Sequence, residues 1–595
     1  MIFGKHINKY YLKYWWLLLL GMAALVLVDF AQLKIPEFYR MVINGITGET
    51  IELDGAAYAF DMDFLLDRIC LPMIFVILSI VLGRFLWRIG FFGSAVRVNR
   101  DLRDEMFTHA AELSQEYYSE SKIGGLMSLF TNDLETIRDC FGSGILTAVD
   151  AACLGAMSFI KMLRMSALLT LFSLLPMTVM FAIGMLVGTR MTKKWDERQA
   201  KFSELSDFSQ ESFTGIAVIK AFAKEVKELL AFRKLNKENE KVNVEYVRIA
   251  TVMEILITLF VQSVVAVILG YGGYLVYTGV FNGGELVEFI GYFTSIIWPI
   301  MAIAILIEQH ARGSASLKRI SEFLDAEVVV KDGEKAGLHA DPAIGGKIEF
   351  KHLSFTYPGS EVEVLHDVSF TIERGENVGI IGRTGSGKTT VVDLLTRTYN
   401  VPDGTLFVDG IDVNEMPIRA LRKHLAYVPQ DNFLFSDTIA NNIAFAFESD
   451  NDMEAIRHAA KLSAVDENIE EFPEKYETVL GERGVTVSGG QKQRISIARA
   501  LMKDAEILIL DDSVSAVDTK TEKVILDGLR AERKGKTTIL IAHRVSTVEH
   551  MDKVLFLEEG RVLDMGTHEE LLGRCQAYRE TVEAQKLEDA RKERA

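Results

Sequence analysis

The sequence predicts a multidomain chain: an all-α transmembrane domain of six membrane helices, followed by an α/β domain built around a phosphate-binding loop. Three observations carry this expectation. Residues 1–325 hold six apolar runs of about the 20 residues that a bilayer crossing requires. Gly382-Arg383-Thr384-Gly385-Ser386-Gly387-Lys388-Thr389 reads G-x-x-x-x-G-K-[ST], between an apolar run ending at Ile381 and a helical run from Thr390 to Arg397. The composition is that of two unlike halves averaged together, 49% hydrophobic with a mean hydropathy of +0.17 and yet 25% charged.

The 595 residues are enough for two to four domains. A formal net charge of −17 argues against a nucleic-acid binder held by a general basic field. Cys70, Cys140, Cys153 and Cys575 are scattered without metal-site or disulfide spacing and read as reduced thiols. Lys5, Lys9 and Lys13 precede the first apolar run, and no small-residue cleavage site follows, which reads as an anchor and not a cleaved signal.

The six spans fall at about 14–40, 66–93, 139–160, 167–189, 250–279 and 286–308. The loop from Met41 to Asp67 has no Lys or Arg but carries Glu49, Glu52, Asp54, Asp61, Asp63 and Asp67, whereas Arg190 to Arg248 is rich in both cations. Cytosolic loops carry the excess of Lys and Arg, so the first loop is external and the second cytosolic. Lys161 and Arg164, in a short external turn, run against this rule. Residues 94–138 and 190–249 read as helices continuing into the cytosol, with candidate contact turns at Tyr117 to Gly125 and Gln210 to Phe222. Asp29 and Asp150 lie well inside apolar runs; Arg84, Arg88, Glu254 and Glu308 sit nearer the cytosolic ends. Such charges either pair, snorkel or face water, or else line a cavity where the acids favour cationic guests.

Residues 326–346 shift in composition (Asp332-Gly333, Pro342, Gly345-Gly346) and read as a linker. From 347 to 595 strands alternate with helices, ending in a charged helix from about Tyr578. In the phosphate loop, three glycines let backbone N–H groups close around a polyphosphate at a helix N-terminus. Lys388 supplies a point charge and Thr389 a hydroxyl for Mg²⁺. Tyr357 offers an aromatic face for an adenine ring, or else is a buried core tyrosine. Gln430 follows an apolar strand (Leu425 to Val428) and offers a neutral amide to Mg²⁺ or water. Ile507 to Asp511 is a buried strand that delivers one carboxylate to a metal, the Walker B geometry. Ser515-Ala516-Val517-Asp518 reads as a turn. His543 follows the strand Thr538 to Ala542 and can donate to a γ-phosphate, or else is a structural histidine. In Val487-Ser488-Gly489-Gly490-Gln491, Ser488 and the glycine N–H groups open a helix and form a second phosphate-binding nest.

With two phosphate-binding surfaces in one chain, the sequence resembles the ATP-binding cassette (ABC) exporters over essentially its whole length. The resemblance implies a transmembrane domain at 1–325, a linker at 326–346 and an ABC ATPase domain at 347–595, in the cytoplasmic membrane with the ATPase domain cytosolic. It implies ATP and Mg²⁺ as cofactors. Tyr357 would be the aromatic A-loop, Gly382 to Thr390 the phosphate loop, Gln430 the Q-loop, Val487 to Gln491 the signature and His543 the switch. Thr389, Gln430 and Asp511 would hold the metal; Asp512, His543 and Gln430 would act in hydrolysis. Thr478 to Gly484 resembles the exporter X-loop. Two ATPase domains would close head-to-tail over ATP, and the two cytosolic turns would be coupling helices. The signature begins with Val487 where the family usually has Leu, but the departure that matters comes after Walker B, where the family usually has a glutamate and this chain has Asp512, about 1.5 Å shorter. That resembles the degenerate half of heterodimeric multidrug exporters; the alternative is a homodimer tolerating Asp. The implied function is ATP-driven export of hydrophobic or amphipathic compounds with a second half-transporter as partner and no nucleic acid. A lipid or peptide exporter, or an ATP-gated channel or regulatory subunit, are the other readings.

Overall fold

The computed structural model describes residues 3–592 apart from 50, 54–55, 122, 340–341, 448–451, 482–486 and 516. It falls into two compact units, one of residues up to Phe107 with Met127–Asp325, the other of Thr108–Leu126 with Ala326 onward.

Among the described residues the first unit consists of helices joined by short connections, with one short hairpin, Ile51–Leu53 with Ala56–Tyr58. Helix α1 (Trp15–Gln32) is almost wholly apolar and stops at Leu33–Lys34; Pro36 then sits in the first turn of α2 (Ile35–Thr47), where its missing N–H costs nothing. Helix α3 spans Leu71–Glu112, and a helix carried through two wider turns from Ile123 ends in α4 (Ile145–Met165). Ser166 caps α5 (Ala167–Thr214). Helix α6 (Glu225–Tyr277) follows, and α7 (Gly283–Leu324) is opened by Asn282 and Glu285, whose side chains bond reciprocally to each other's backbone N–H.

Among the described residues, five helical stretches have the length and composition to cross a membrane: Trp15–Thr47, Met62–Glu112, Ile123–Met165, Glu225–Tyr277 and Gly283–Leu324. The span expected at 167–189 falls in α5, where most side chains from 177 to 189 lie outside the described residues. Exposed apolar side chains such as Leu19, Phe75, Leu78 and Leu259 coat the helices, which is how a surface solvated by lipid is built. Lys161, which runs against the positive-inside pattern, is held 2.6 Å from Glu37 of α2. An internal carboxylate, and not the cytosol, answers its charge. The four cysteines are free thiols.

Helices α3 and α5 run well past their apolar portions before the chain turns, and α6 begins well before its own. Short helices, Gln115–Glu120 and Ile216–Ala221, stand at the turns. The first belongs to the second unit; Lys122, within the expected contact turn, lies outside the described residues.

The rest of the second unit is two sheets with flanking helices. An antiparallel sheet holds β1 (Ile348–Thr356), β2 (Glu363–Ile372), β4 (Leu406–Val408) and β5 (Ile411–Asp412) in the order β2-β1-β4-β5. The larger sheet is built from β3 (Asn377–Ile381), β6 (Leu425–Val428), β7 (Ile507–Asp511), β8 (Thr537–Ala542), β9 (Lys553–Glu558) and β10 (Arg561–Gly566), in the order β10-β9-β3-β8-β7-β6. All its pairs are parallel except β9 with β10. Every residue of β7 and β8 is buried, and Ile507–Leu510 and Ile539–Ala542 accordingly read as continuous apolar runs without alternation. One apolar core lies on each face of this sheet. Helices α8 (Lys388–Leu395), α9 (Gly489–Met502), α10 (Thr519–Glu532) and α11 (Gln576–Lys592) flank the strands.

Candidate functional site

The parallel register decides what meets what. Ala542 pairs with Ile381, Ile541 with Asp511, and Val428 with Leu510. The four strands therefore end together, and the next residues of each emerge at one carboxyl edge: Gly382 after β3, Asp511 and Asp512 at β7, His543 after β8, and Gln430 just past β6. Ligands of open α/β sheets bind at this edge.

The phosphate loop is tightly folded. A side chain at Gly382 would meet the Leu557 carbonyl oxygen at 2.0 Å, and Gly387 has φ +94 with Leu365 2.6 Å from any added Cβ, so both positions require glycine. Gly387 immediately precedes α8, so the loop opens onto that helix's N-terminal N–H groups. Lys388 is buried and donates to the carbonyls of Gly382 and Arg383, each at 2.9 Å, which holds its ammonium over the loop. Burial pushes this ammonium below its ordinary pKa, against the pull of Asp511 and Asp512.

Asp511 is 1% exposed. Burial raises its carboxyl above the usual range; Thr389 hydrogen-bonds to it and, with Lys388 and His543, works in the opposite direction. Its Oδ2 and the Oγ of Ser386 are buried without a hydrogen-bond partner. An orphaned carboxylate oxygen and hydroxyl at a phosphate loop are what a nucleotide with Mg²⁺ would satisfy, so the donor set fits that group.

Asp512 stands in the left-handed region, φ +45. Its N–H donates to the Ile541 carbonyl at 3.0 Å, and its own carbonyl accepts from Ser515 Oγ at 2.8 Å and Gln493 Nε2 at 3.3 Å. Aspartate and asparagine are enriched in this backbone region among residues with a side chain. The backbone thus supplies a conformational reason for aspartate here, which the motif comparison alone does not contain.

Tyr357 is half-buried. Its hydroxyl meets Thr390 Oγ1 at 2.9 Å and Asp393 Oδ2 at 3.5 Å, and its ring packs edge-on against Tyr399, 5.1 Å between centroids. The tyrosine is anchored on α8, directly behind the phosphate loop. Asp393 is pushed up to about 6 by burial and by the charge of Asp511. Gln430 is exposed, with Asn432 donating to its carbonyl at 3.4 Å.

The signature residues are not part of this edge. Ser488 caps α9: its Oγ accepts from the Gln491 N–H at 3.2 Å, while Gln491 Oε1 accepts from the Ser488 N–H at 2.9 Å. Ser488 and Gly489 are exposed, and among the described residues Ser488 to Gln491 make no hydrogen bond to the phosphate loop. The link between the two is Gln493, which bonds Asp512 from the first turns of α9. Of the X-loop, Glu482, Arg483 and Gly484 lie outside the described residues, as does Ala516 in the turn after Walker B; Asp518 of that turn caps α10.

Sequence reading missed one residue with a direct hold on the edge. Gln585 of α11 donates through Nε2 to the His543 carbonyl and accepts through Oε1 from the Val545 N–H, both at 2.7 Å. One amide thus clamps the backbone on either side of Arg544. It lies 42 residues from His543 in a helix with little apolar patterning, so no local signal marks it.

Comparison with known proteins places these features among relatives. The family described as ABC transporter transmembrane region matches residues 18–300, and the family described as ABC transporter matches residues 365–515. The chain is 35% identical over 584 residues, 98% of its length and 97% of the relative's, to "Probable multidrug resistance ABC transporter ATP-binding/permease protein YheI" of Bacillus subtilis (strain 168). It is also 35% identical over 588 residues, 98% of this chain and 97% of the relative, to "Multidrug resistance-like ATP-binding protein MdlA" of Escherichia coli (strain K12). A solved structure described as a bacterial Atm1-family ABC exporter with ATP bound superposes with a TM-score of 0.75 at 26% identity, covering 98% of this chain and 100% of that one.

Proposed function

The chain belongs to the ABC transporter family, as a multi-pass exporter of the cell membrane with a helical transmembrane domain and a cytosolic ATPase domain; from that premise we propose that it exports hydrophobic or amphipathic compounds as one half of a heterodimer with unequal ATP sites. The observation that carries the asymmetry is Asp512, one methylene shorter than the glutamate the exporter pattern has after Walker B. A carboxylate displaced by about 1 Å can cost about 10²-fold in rate.

In this reading Lys388 and the loop N–H groups bind the nucleotide phosphates, and Tyr357 borders the adenine. Thr389, Gln430 and Asp511 would hold Mg²⁺, which when bound offsets phosphate charge. Asp512 orients water at this chain's own site, weakly, and His543 contacts the terminal phosphate. Ser488 to Gln491, exposed at the start of α9, complete the partner's site. Closure of the two ATPase domains turns the membrane cavity outward, and hydrolysis, mainly at the partner's site, resets it.

The left-handed backbone at Asp512 favours a second reading, a homodimer in which aspartate is the working base. Transport measured with and without a co-expressed second half-transporter separates them. ATP-dependent accumulation of a fluorescent amphiphile in inside-out vesicles is expected only when a second half-transporter is co-expressed. Full transport and turnover by this chain alone would establish the homodimer. No accumulation under either condition would refute export.

A further inference from the structure

The membrane unit contains a cleft of 380 Å³ bounded by four helices. Its chemistry comes from Asp29 of α1, Trp87 and Arg88 of α3, Asp150 of α4 and Trp298 of α7. At 1.5 Å per residue, Asp29 lies about 21 Å along α1, a depth within the hydrocarbon core of about 30 Å that a bilayer presents. Its side chain is 1% exposed, and its Oδ2 is buried with no hydrogen-bond partner in the protein. Asp150 is the carboxylate it faces, and a side-chain hydrogen bond joins the two acids. The Asp150 Oδ2 accepts the indole N–H of Trp298 at 2.6 Å, which fixes its direction. Among the described residues, neither Arg84 nor Arg88 ion-pairs with these acids; the Arg88 guanidinium instead lies over the Trp87 ring, 5.4 Å from its centroid.

We propose that this cleft is a binding site for lipophilic monocations, with Asp29 and Asp150 supplying the charge and Trp87 and Trp298 the aromatic walls. The inference rests on the export reading and names its substrate class. A buried carboxylate oxygen without a donor is costly, and a second carboxylate facing it raises that cost. A soft monocation offsets the single charge that two carboxyls sharing one proton retain, while keeping its apolar body in the cleft and its positive centre against aromatic faces. The volume matches a small drug-like ligand. Arg88 lies in the same cleft over the Trp87 ring, so it competes with the guest for that aromatic face.

The test is binding to the full-length chain in lipid nanodiscs, with tetraphenylphosphonium as the cation and triphenylphosphine oxide as the neutral probe. Asp29→Asn combined with Asp150→Asn is expected to weaken the cation at least tenfold and the neutral probe less than twofold. Arg88→Gln is expected to tighten the cation about threefold. Trp298→Phe, which keeps the ring and removes the N–H, should give an intermediate loss for the cation only. Equal losses for both probes, or no loss for the cation, overturn the proposal; unchanged neutral-probe affinity shows that a variant is folded. ATP-dependent accumulation of either probe in wild-type vesicles is measured alongside. Its absence refutes export while leaving the binding result to stand or fall by itself.

Discussion

Lengthening Asp512 by one methylene, Asp512→Glu, tests the proposed short base at this chain's own ATP site. The added carbon extends the carboxylate by about 1.5 Å. The backbone cannot absorb this change, because Asp512 is held on both sides: its N–H by Ile541 at 3.0 Å, its carbonyl by Ser515 at 2.8 Å and Gln493 at 3.3 Å. A restored reach of that size is worth about 10²-fold in the chemical step, or about 2.7 kcal/mol. The opposing term is the left-handed backbone, φ +45, which costs a residue other than Gly, Asn or Asp about 1–2 kcal/mol. That term acts mainly on folding stability and is smaller, so hydrolysis should rise by one to two orders of magnitude while the melting temperature falls slightly. The assay is single-turnover release of labelled phosphate from the assembled transporter, with the partner's own phosphate loop inactivated. Asp512→Asn, in the unmodified assembly, should change steady-state turnover less than twofold. If Asp512→Glu is silent or slower and Asp512→Asn abolishes turnover, aspartate is the working base and the asymmetry is refuted.

Lys388→Ala removes a buried ammonium; nucleotide affinity at this site should fall at least tenfold while the assembly keeps part of its turnover, and complete loss in a folded variant would contradict a poor site here. Ser488→Arg should abolish steady-state phosphate release by blocking closure over the partner's nucleotide. Because it also removes the cap of α9, worth about 1 kcal/mol, its melting curve is the control; near-normal release would refute the head-to-tail arrangement. Gln585→Ala deletes both 2.7 Å bonds to the switch backbone, so the preference for ATP over ADP should drop several-fold with ADP affinity unchanged. Gln585→Glu, which turns a carboxylate on the His543 carbonyl, should be no better; an unaltered ratio in both would reduce the residue to helix packing. Asp393→Asn tests a raised carboxyl, at about 6 in the folded chain against 3.8 ordinarily. The folded state holds the proton more tightly, so the wild type loses stability as pH rises from about 4 to 6 and does not regain it above. The asparagine variant should therefore melt higher than wild type at pH 8, and the gap should shrink at pH 5; a constant gap would contradict the assignment.

What the sequence determines by itself is whatever a contiguous stretch can specify. Gly382 to Thr389 is legible because its backbone geometry restricts residue choice at fixed offsets, and Gly387 at φ +94 is one such restriction. The membrane helices are legible because bilayer thickness dictates some 20 apolar residues in a row, and β7 and β8 because strands buried on both faces are continuously apolar. Other features arise only when distant segments meet. Asp29 faces Asp150 across 121 positions of sequence, and Glu37 answers Lys161 across 124. Gln585 reaches His543 from the last helix. Pairing partners at such separations leave no period in the chain, since neither residue type requires the other locally. The same holds for Asp512: its identity reads as a shortened base in sequence, and only the folded backbone adds that the position is left-handed, where the shorter acid fits. Sequence records side chains in order, while charge compensation and backbone handedness are settled by what packs around them.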